Sequence, residues 1–142
     1  EWWICERPWE PYEDSEPNEN EYWSRRSMPL GLCEGLTYTG HLWREGGRQD
    51  PQDWYSLYLT LPGELLVTLD VPADRSVDYQ LALWDPSLRT LDSSQNRPGE
   101  DERIGVAGLR AGRYWVQVFS PNGTDGRPLQ FEQSYALQYF SR

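Results

Sequence analysis

The chain has 142 residues and a formal net charge of -10, with 23 acidic residues against 13 basic ones, and it contains eight Trp, nine Tyr and three Phe. This length fits one domain that is large enough to bury a core. The acidic balance argues against nucleic acid, because phosphate binding needs clustered cations, and against adsorption to anionic membranes. No apolar run approaches the ~20 residues of a membrane span.

The negative charge is concentrated at the N-terminal end. Residues 1–21 hold eight acids and one Arg, a net charge of -7 out of -10. The same stretch is rich in aromatic residues, among them Trp2, Trp3 and Trp9, whereas acidic disordered tails are usually poor in them. We therefore expect residues 1–34 to form an irregular segment that packs on the domain or on a neighbour. A flexible tail is the alternative.

Two cysteines bear on the compartment. Cys5 and Cys33 are too few for a zinc site, and their spacing is not that of a redox CxxC motif. Because the chain starts at Glu1 without Met, we interpret it as a secreted chain whose leader was removed, with an excised fragment as the alternative. An even cysteine count in such a chain favours a disulfide over two buried free thiols. The expected location is extracellular or at the cell surface.

Residues 35–142 show short strands separated by turn signals, which is typical of an all-β domain. No segment of ten or more residues has a helical period. The predicted strands are Leu36–Trp43, Trp54–Leu61, Glu64–Asp70, Asp78–Trp84, Thr90–Ser93, Arg103–Val106, Gly112–Ser120 and Phe131–Phe140.

Alternation assigns one face in three of these strands. The residues predicted to share a face are Tyr55, Leu57, Leu59 and Leu61 in the second, Tyr114, Val116 and Val118 in the seventh, and Tyr135, Leu137 and Tyr139 in the last. Eight strands of this kind predict a single two-layer antiparallel β-sandwich, jelly-roll-like in architecture, preceded by the irregular segment 1–34.

Four segments, in order, resemble one family. They are Tyr12–Glu19 (YEDSEPNE), Gln49–Tyr55 (QDPQDWY), Ala111–Val118 (AGRYWVQV) and Ser134–Tyr139 (SYALQY). Together they resemble the bacterial pre-peptidase C-terminal domain, to which the collagen-binding domains of clostridial collagenases are related. The resemblance implies a jelly-roll-like sandwich, secretion and a binding or accessory role without catalysis. In the collagen-binding branch it also implies a calcium site between the N-terminal linker and an early strand.

The residues themselves are compatible with such a site, since calcium prefers six to eight oxygen ligands. Alternate acidic and amide positions near residue 16 fall on one side of an extended segment, and two further acids flank Pro51. Carried over by position, the expected calcium ligands are Asp14, Glu16, Asn18, Glu19, Asp50 and Asp53. The family commonly has Asp where this chain has Glu19. A solvated acidic face, with Asp50 capping a turn, is the alternative.

The remaining sequence motifs do not indicate an enzyme. His41 stands alone, without a companion Cys or Ser motif, and the chain contains no GxSxG, HExxH or P-loop. Asn122 begins a glycosylation sequon, which is equally a turn sequence.

We weigh two functions. The first is a secreted subunit that associates with itself into an oligomer or filament, stabilised by calcium, with Trp2, Trp3 and Trp9 as contact residues. The second is a targeting module that binds collagen-like protein or polysaccharide through exposed aromatic residues. An accessory domain of a secreted peptidase is a further alternative.

Overall fold

Two β-sheets packed face to face form the body of the chain. The computed structural model describes residues 5, 30–40, 43–45, 48–50, 52–71, 79–97, 100–120 and 135–142. In these residues the strands are β1 (Leu30–Gly31), β2 (Tyr38–Gly40), β3 (Trp43–Glu45), β4 (Arg48–Asp50), β5 (Gln52–Leu59), β6 (Gly63–Asp70), β7 (Gln80–Trp84), β8 (Thr90–Ser94), β9 (Glu102–Leu109), β10 (Gly112–Phe119) and β11 (Tyr135–Ser141). The predicted all-β sandwich is confirmed.

The first sheet has five strands in the order β1-β5-β10-β7-β8. All of its neighbours pair antiparallel except β1, which runs parallel to β5 with Leu30 opposite Tyr55. A backbone hydrogen bond of 2.8 Å from Leu32 N–H to the Ser56 carbonyl extends this pairing by one residue.

The second sheet has four antiparallel strands in the order β2-β11-β6-β9. Its topology places β11, the last strand in sequence, between β2 and β6. A separate antiparallel hairpin joins β3 and β4, with Glu45 opposite Arg48.

Aromatic residues supply much of the core between the two sheets, as the low aliphatic content of the sequence requires. The tyrosines at positions 38, 55, 79 and 135 are at most 1% exposed. The residues predicted to face inward in β10 and β11 all lie in the core, as do Tyr55, Leu57 and Leu59 of β5. Since one buried aromatic ring removes about 150–250 Å² from water, these rings replace several aliphatic side chains.

The structure corrects the predicted extent of several strands. The segment Leu36–Trp43 is not one strand, because β2 ends at Gly40 and β3 begins at Trp43. Leu61 does not share the buried face of β5, for the strand ends at Leu59 and Leu61 is 73% exposed. Pro62 has no N–H for a strand ladder, so pairing stops before it. By contrast, β9 is longer than the predicted Arg103–Val106, since it extends to Leu109.

One short strand and one short hairpin were missed by sequence reasoning. The described end of the segment predicted as irregular contains β1, which has only two residues and therefore no visible alternation. The β3–β4 hairpin surrounds Gly46-Gly47, a dipeptide typical of tight hairpins, and this signal could have identified it.

Candidate functional site

Among the six predicted calcium ligands, Asp53 is the one whose side chain the structure describes. Asp14, Glu16, Asn18 and Glu19 lie outside the described residues, and Asp50 is described only as the backbone end of β4. The other predicted features outside the described residues are Trp2, Trp3, Trp9, His41 and residues 122–124. The geometry of the site is therefore built from Asp53 and its neighbours.

Asp53 lies at the end of the core, where it joins the two sheets. It is fully buried on the inward face of β5, together with Tyr55. Tyr135, the first residue of β11 in the opposite sheet, donates its hydroxyl proton to Asp53 Oδ2 over 2.6 Å. The hydroxyls of Tyr55 and Tyr135 are 2.5 Å apart. Because the Tyr135 proton is used by Asp53, Tyr55 is the donor of that second bond.

This chain of hydrogen bonds stabilises the buried carboxylate of Asp53. Burial of a charged group is costly unless donors or a cation surround it. All three residues have no solvent-exposed surface, so a substrate in solution has no route to them. The arrangement therefore links the sheets and orients a carboxylate at the start of β5, and it does not resemble an accessible acid–base pair.

The predicted disulfide between Cys5 and Cys33 is confirmed, with a Cα–Cα distance of 5.0 Å and a sequence separation of 28. The Cys33 end of the disulfide is held in the sandwich by two contacts. Leu32 lies fully buried in the core, and Cys33 N–H donates to the Tyr38 hydroxyl over 2.7 Å. The position of Cys5 in space is thus fixed at the β1 edge of the five-stranded sheet.

The residues after Cys33 are held to β11. Gly35 N–H donates to the Tyr139 carbonyl over 2.9 Å, and the Ser141 N–H and hydroxyl both donate to Glu34 Oε1. Burial, which is the largest cause, and the neighbouring Glu34 and Tyr38 together raise the pKa of Tyr139 to about 12. The disulfide therefore connects the N-terminal region to a part of the sandwich in which both sheets meet.

A second buried surface lies on the far side of the five-stranded sheet. We call it the outer aromatic face and define it by Trp54, Ser56, Ala82, Trp84 and Trp115. These residues alternate with the core residues of β5, β7 and β10, and register places them side by side. The rings of Trp54 and Trp84 are 5.6 Å apart. Trp54 and Trp84 therefore pack on this outer face rather than in the core.

Polar contacts order the outer aromatic face. Trp84 Nε1 donates to Gln117 Oε1 over 3.1 Å, and Gln117 Nε2 donates to Gln52 Oε1 over 2.6 Å. At the border, the Arg113 guanidinium lies 5.5 Å from the centre of the Trp115 ring. The face thus combines indole surfaces with fixed amide groups and one cation.

Sequence reasoning missed a second buried carboxylate. Glu102 begins β9 and is 1% exposed. It accepts a hydrogen bond from Asn96 N–H at 2.9 Å and another from the Ser94 hydroxyl. Glu102 therefore links the end of β8 to the start of β9 through hydrogen bonds. A single acid at a strand end gives no sequence signal of such a role.

Within the described ranges, no group of three or more His, Cys, Asp or Glu side chains is arranged to hold a metal ion. A helix that is long and apolar enough to cross a membrane is likewise not found in the part of the chain that the structure describes.

Comparisons with known proteins give matches at the level of structure. Neither a family model nor a curated protein matches the sequence. The pre-peptidase C-terminal domain of a Bacillus anthracis collagenase matches with a TM-score of 0.56 and 16% identity, covering 77% of this chain and 91% of that one. Aeromonas hydrophila PliG, a periplasmic inhibitor of g-type lysozyme, matches with a TM-score of 0.50 and 10% identity, covering 79% and 94%.

The fold is that of a pre-peptidase C-terminal domain. The jelly-roll-like sandwich implied by the sequence resemblance is therefore confirmed. The same architecture also matches a lysozyme inhibitor, and a shared fold does not by itself assign a function. What distinguishes this chain must lie in its own residues, above all the Asp53 cluster, the disulfide and the outer aromatic face.

The disulfide also bears on the compartment. Disulfides form and persist in oxidising environments and are rare in the cytosol. The Cys5–Cys33 bond is consistent with an extracellular or periplasmic location.

Proposed function

We propose that this chain is a secreted, non-enzymatic β-sandwich module that associates with copies of itself through its N-terminal region. The observation that carries the proposal is the disulfide, which joins Cys5 to the residue after the buried Leu32. A bond of this kind ties position 5 to the sandwich, within a stretch of sequence that is acidic and rich in aromatic residues. We propose that this stretch is used for contacts with partners.

The disulfide also divides the N-terminal aromatic residues into two groups. Trp9 belongs to the covalent loop between Cys5 and Cys33, whereas Trp2 and Trp3 precede that loop. Residues 1–4 lie outside that loop, so their contact with a neighbour would not have to draw the rest of the loop with it. We therefore assign the head-to-tail contact to residues 1–4, and contacts of that type build open filaments when the rotation does not close.

Removal of residues 1–4, with Cys5 retained, tests this assignment. Light scattering over a concentration series should show large species for the full chain and a monomer for the shortened chain. Leu61→Ser is the matched control, because Leu61 is an exposed apolar residue in a described turn. A full chain that stays monomeric at millimolar concentration, or association that Leu61→Ser abolishes, would contradict the proposal.

We also propose that calcium stabilises the module. The donor set is chemically suited to the ion, for it consists of carboxylates and one amide oxygen. Asp53 would contribute from the start of β5, Asp50 from the end of β4, and the remaining ligands would come from the N-terminal region, namely Asp14, Glu16, Asn18 and Glu19. The observation that supports this role is the oriented, buried carboxylate of Asp53. Bound calcium would neutralise charge between the segment and the sheet.

Thermal unfolding with calcium and with a chelator tests this part. We expect a higher Tm with calcium, and we expect the difference to disappear in a variant with Asp14→Asn and Glu16→Gln. Asp92→Asn serves as the control because Asp92 is exposed on β8, remote in sequence from the proposed ligands. Equal Tm values with and without calcium for the native chain would reject a structural calcium site.

The alternative function, binding of collagen-like protein or polysaccharide, requires exposed aromatic residues. Among the described side chains, Phe140 is an exposed aromatic residue, at 41%, whereas Trp54 and Trp115 are buried. Phe140 is thus the observation that favours this alternative. Retention on collagen, cellulose or chitin that Phe140→Ser abolishes would support it in place of self-association.

A further inference from the structure

Most of the outer aromatic face is closed to solvent although it lies on the side of the sheet opposite the core, and Trp84 is the half-buried member. Trp54 is 3% exposed, Ser56 1%, Ala82 3% and Trp115 7%, and none of them belongs to the core between the sheets. In a two-layer sandwich, the outward residues of each strand normally meet water. A third layer must therefore lie over this face.

The outer face of the four-stranded sheet provides the comparison. There Leu66, Thr68 and Gln138 are only half-buried, and Phe140 is 41% exposed. A Cβ atom built at Gly105 on the same face would meet no atom within 4 Å. Tyr58, Trp84 and Gln117 on the five-stranded sheet are half-buried too, but among the described residues only that sheet carries buried indole rings on its outer face, so the deeper cover is specific to it.

The disulfide indicates which part of the chain supplies the cover. Cys33 follows β1, the edge strand of the covered sheet, and it holds Cys5 at that edge. A separation of 28 residues reaches at most about 90 Å when extended. Five strands spaced by about 4.8 Å span only about 20 Å. The tethered loop is therefore long enough to cross the sheet and return.

The chemistry of the tethered loop matches that of the face. The loop contains Trp9, Trp23 and a run of acids, as the sequence shows. The face offers indole rings, amide groups fixed by hydrogen bonds and the Arg113 guanidinium at its border. Aromatic rings pack favourably on one another, and an acidic segment is attracted to a cation beside the indoles.

We propose that the outer aromatic face is the docking surface for residues 6–29 of the same chain, which form a third layer over the five-stranded sheet. The inference rests on burial and the covalent tether and does not depend on self-association or calcium. It assigns the loop a surface within its own subunit, whereas residues 1–4 remain the part assigned to contacts between subunits.

Photo-crosslinking in the full chain tests the proposal. A benzophenone amino acid is placed at position 115 or, as a milder change, at the half-buried position 58 on the same side of the sheet. The matched control places it at position 140 on the outer face of the other sheet. An equal mixture of unlabelled and ¹⁵N-labelled chains then distinguishes cross-links within one chain from those between two chains.

We expect cross-links from positions 115 and 58 to residues 6–29 of the same chain, at least tenfold more frequent than from position 140. Cross-links between chains would overturn the proposal in favour of an exchanged segment, and cross-links to any other segment would also overturn it. Failure of self-association in light scattering leaves these expectations unchanged, so the two proposals fail separately.

Labelling of the unmodified chain tests the proposal without a substitution that could prevent folding. Hydroxyl-radical labelling read by mass spectrometry should modify Trp54 and Trp115 at least tenfold more slowly than free tryptophan. In the double variant Cys5→Ser/Cys33→Ser, which releases the tether, labelling of both should increase. Labelling of Trp115 in the native chain at the rate of free tryptophan would overturn the inference.

Discussion

At the scale of single residues, Gly40 leaves room for the Tyr135 ring that a larger residue would not leave. A Cβ atom at position 40 would lie 2.5 Å from the Tyr135 hydroxyl oxygen and 2.7 Å from Cζ. The Tyr135 ring cannot move aside, because its hydroxyl is bonded to Asp53 and Tyr55. Gly40→Ala should therefore lower the free energy of unfolding by about 1–3 kcal/mol, as overpacking does in other cores. Denaturant titration measures this change.

Gly105→Ala is the matched control for Gly40→Ala. Its Cβ meets no atom within 4 Å, and the residue lies in β9 with an ordinary strand conformation. Alanine has less conformational freedom than glycine in the unfolded chain, so this change should be neutral or stabilise by up to about 1 kcal/mol. An equal loss of stability at both glycines would contradict the packing argument.

Tyr139 makes the stability of the fold depend on pH in the alkaline range. Burial raises its pKa to about 12, while an unfolded tyrosine has a pKa of about 10. The raised pKa gives a stabilising contribution that is complete below about pH 10 and is lost as the pH rises towards about 12. Denaturant titrations between these values should show a steeper fall for the native chain than for Tyr139→Phe. Parallel curves for the two chains would rule out this contribution.

Sequence alternation predicts which side of a strand a residue occupies, but not what it touches. It placed Tyr55, Tyr114 and Tyr135 correctly on inward faces. The bond between Asp53 and Tyr135 joins residues that are 82 positions apart, and no local pattern encodes it. For the same reason the alternation of β5 places Trp54 on the face opposite the core but does not show what buries it there.

At the scale of elements, several hydrogen bonds of Asp85 hold the connection between β7 and β8. Asp85 accepts backbone hydrogen bonds of 2.9 Å from Ser87 and Arg89 through Oδ1, and its carbonyl accepts one from Leu88. Leu88 has a φ of 60°, which places it in the left-handed region. A bulky side chain in this region is strained, so the hydrogen bonds of Asp85 hold the turn against a local preference.

Substitution at Leu88 should separate strain from packing. Leu88→Gly and Leu88→Asn should each raise the free energy of unfolding by about 1 kcal/mol, because both residues tolerate the left-handed region. Leu88→Val should lower it, since a branched Cβ is disfavoured there. Thermal unfolding of the three variants measures the order. A ranking with Val above Gly would show that packing of this half-buried side chain outweighs backbone strain.

Long strands were predictable at this scale and short ones were not. The positions of β5, β6, β8 and β10 follow from alternation bounded by turn residues, to within two residues at each end. The two-residue strand β1 exists because Leu32 is anchored in the core and β5 offers a free edge. Such pairing is a tertiary effect, which a period of two residues cannot reveal.

At the scale of the whole molecule, the disulfide should be a large contributor to stability. Closing a loop with a sequence separation of 28 stabilises the fold by about 3–4 kcal/mol in the chain-entropy model. The double variant Cys5→Ser/Cys33→Ser should therefore unfold at a markedly lower denaturant concentration than the oxidised chain, and reductant should reproduce the effect. Unfolding midpoints that do not differ would mean that the N-terminal region adds no constraint.

The sequence resemblance predicted the architecture because three of its four motifs overlap β5, β10 and β11, which lie inside the sheets rather than at their edges. The resemblance could not predict the third layer that we propose over the five-stranded sheet. The outer aromatic face becomes visible only when register sets Trp84 beside Trp115 and brings Trp54 close to Trp84, from three strands that are distant in sequence. A pattern that reports strand faces one at a time contains no information on such a surface.

The position of β11 between β2 and β6 has a consequence for how the molecule is made. Leu137 pairs with Tyr38 on one side and with Leu69 on the other, so β2 and one edge of β6 lack this partner until the last described strand has been synthesised, while the other edge of β6 pairs with β9. The four-stranded sheet cannot be completed before β11 has left the ribosome, and pairings of such high contact order form slowly. During that interval two strand edges stay open to other chains. Export in an unfolded state, followed by folding where the disulfide can form, suits such a topology.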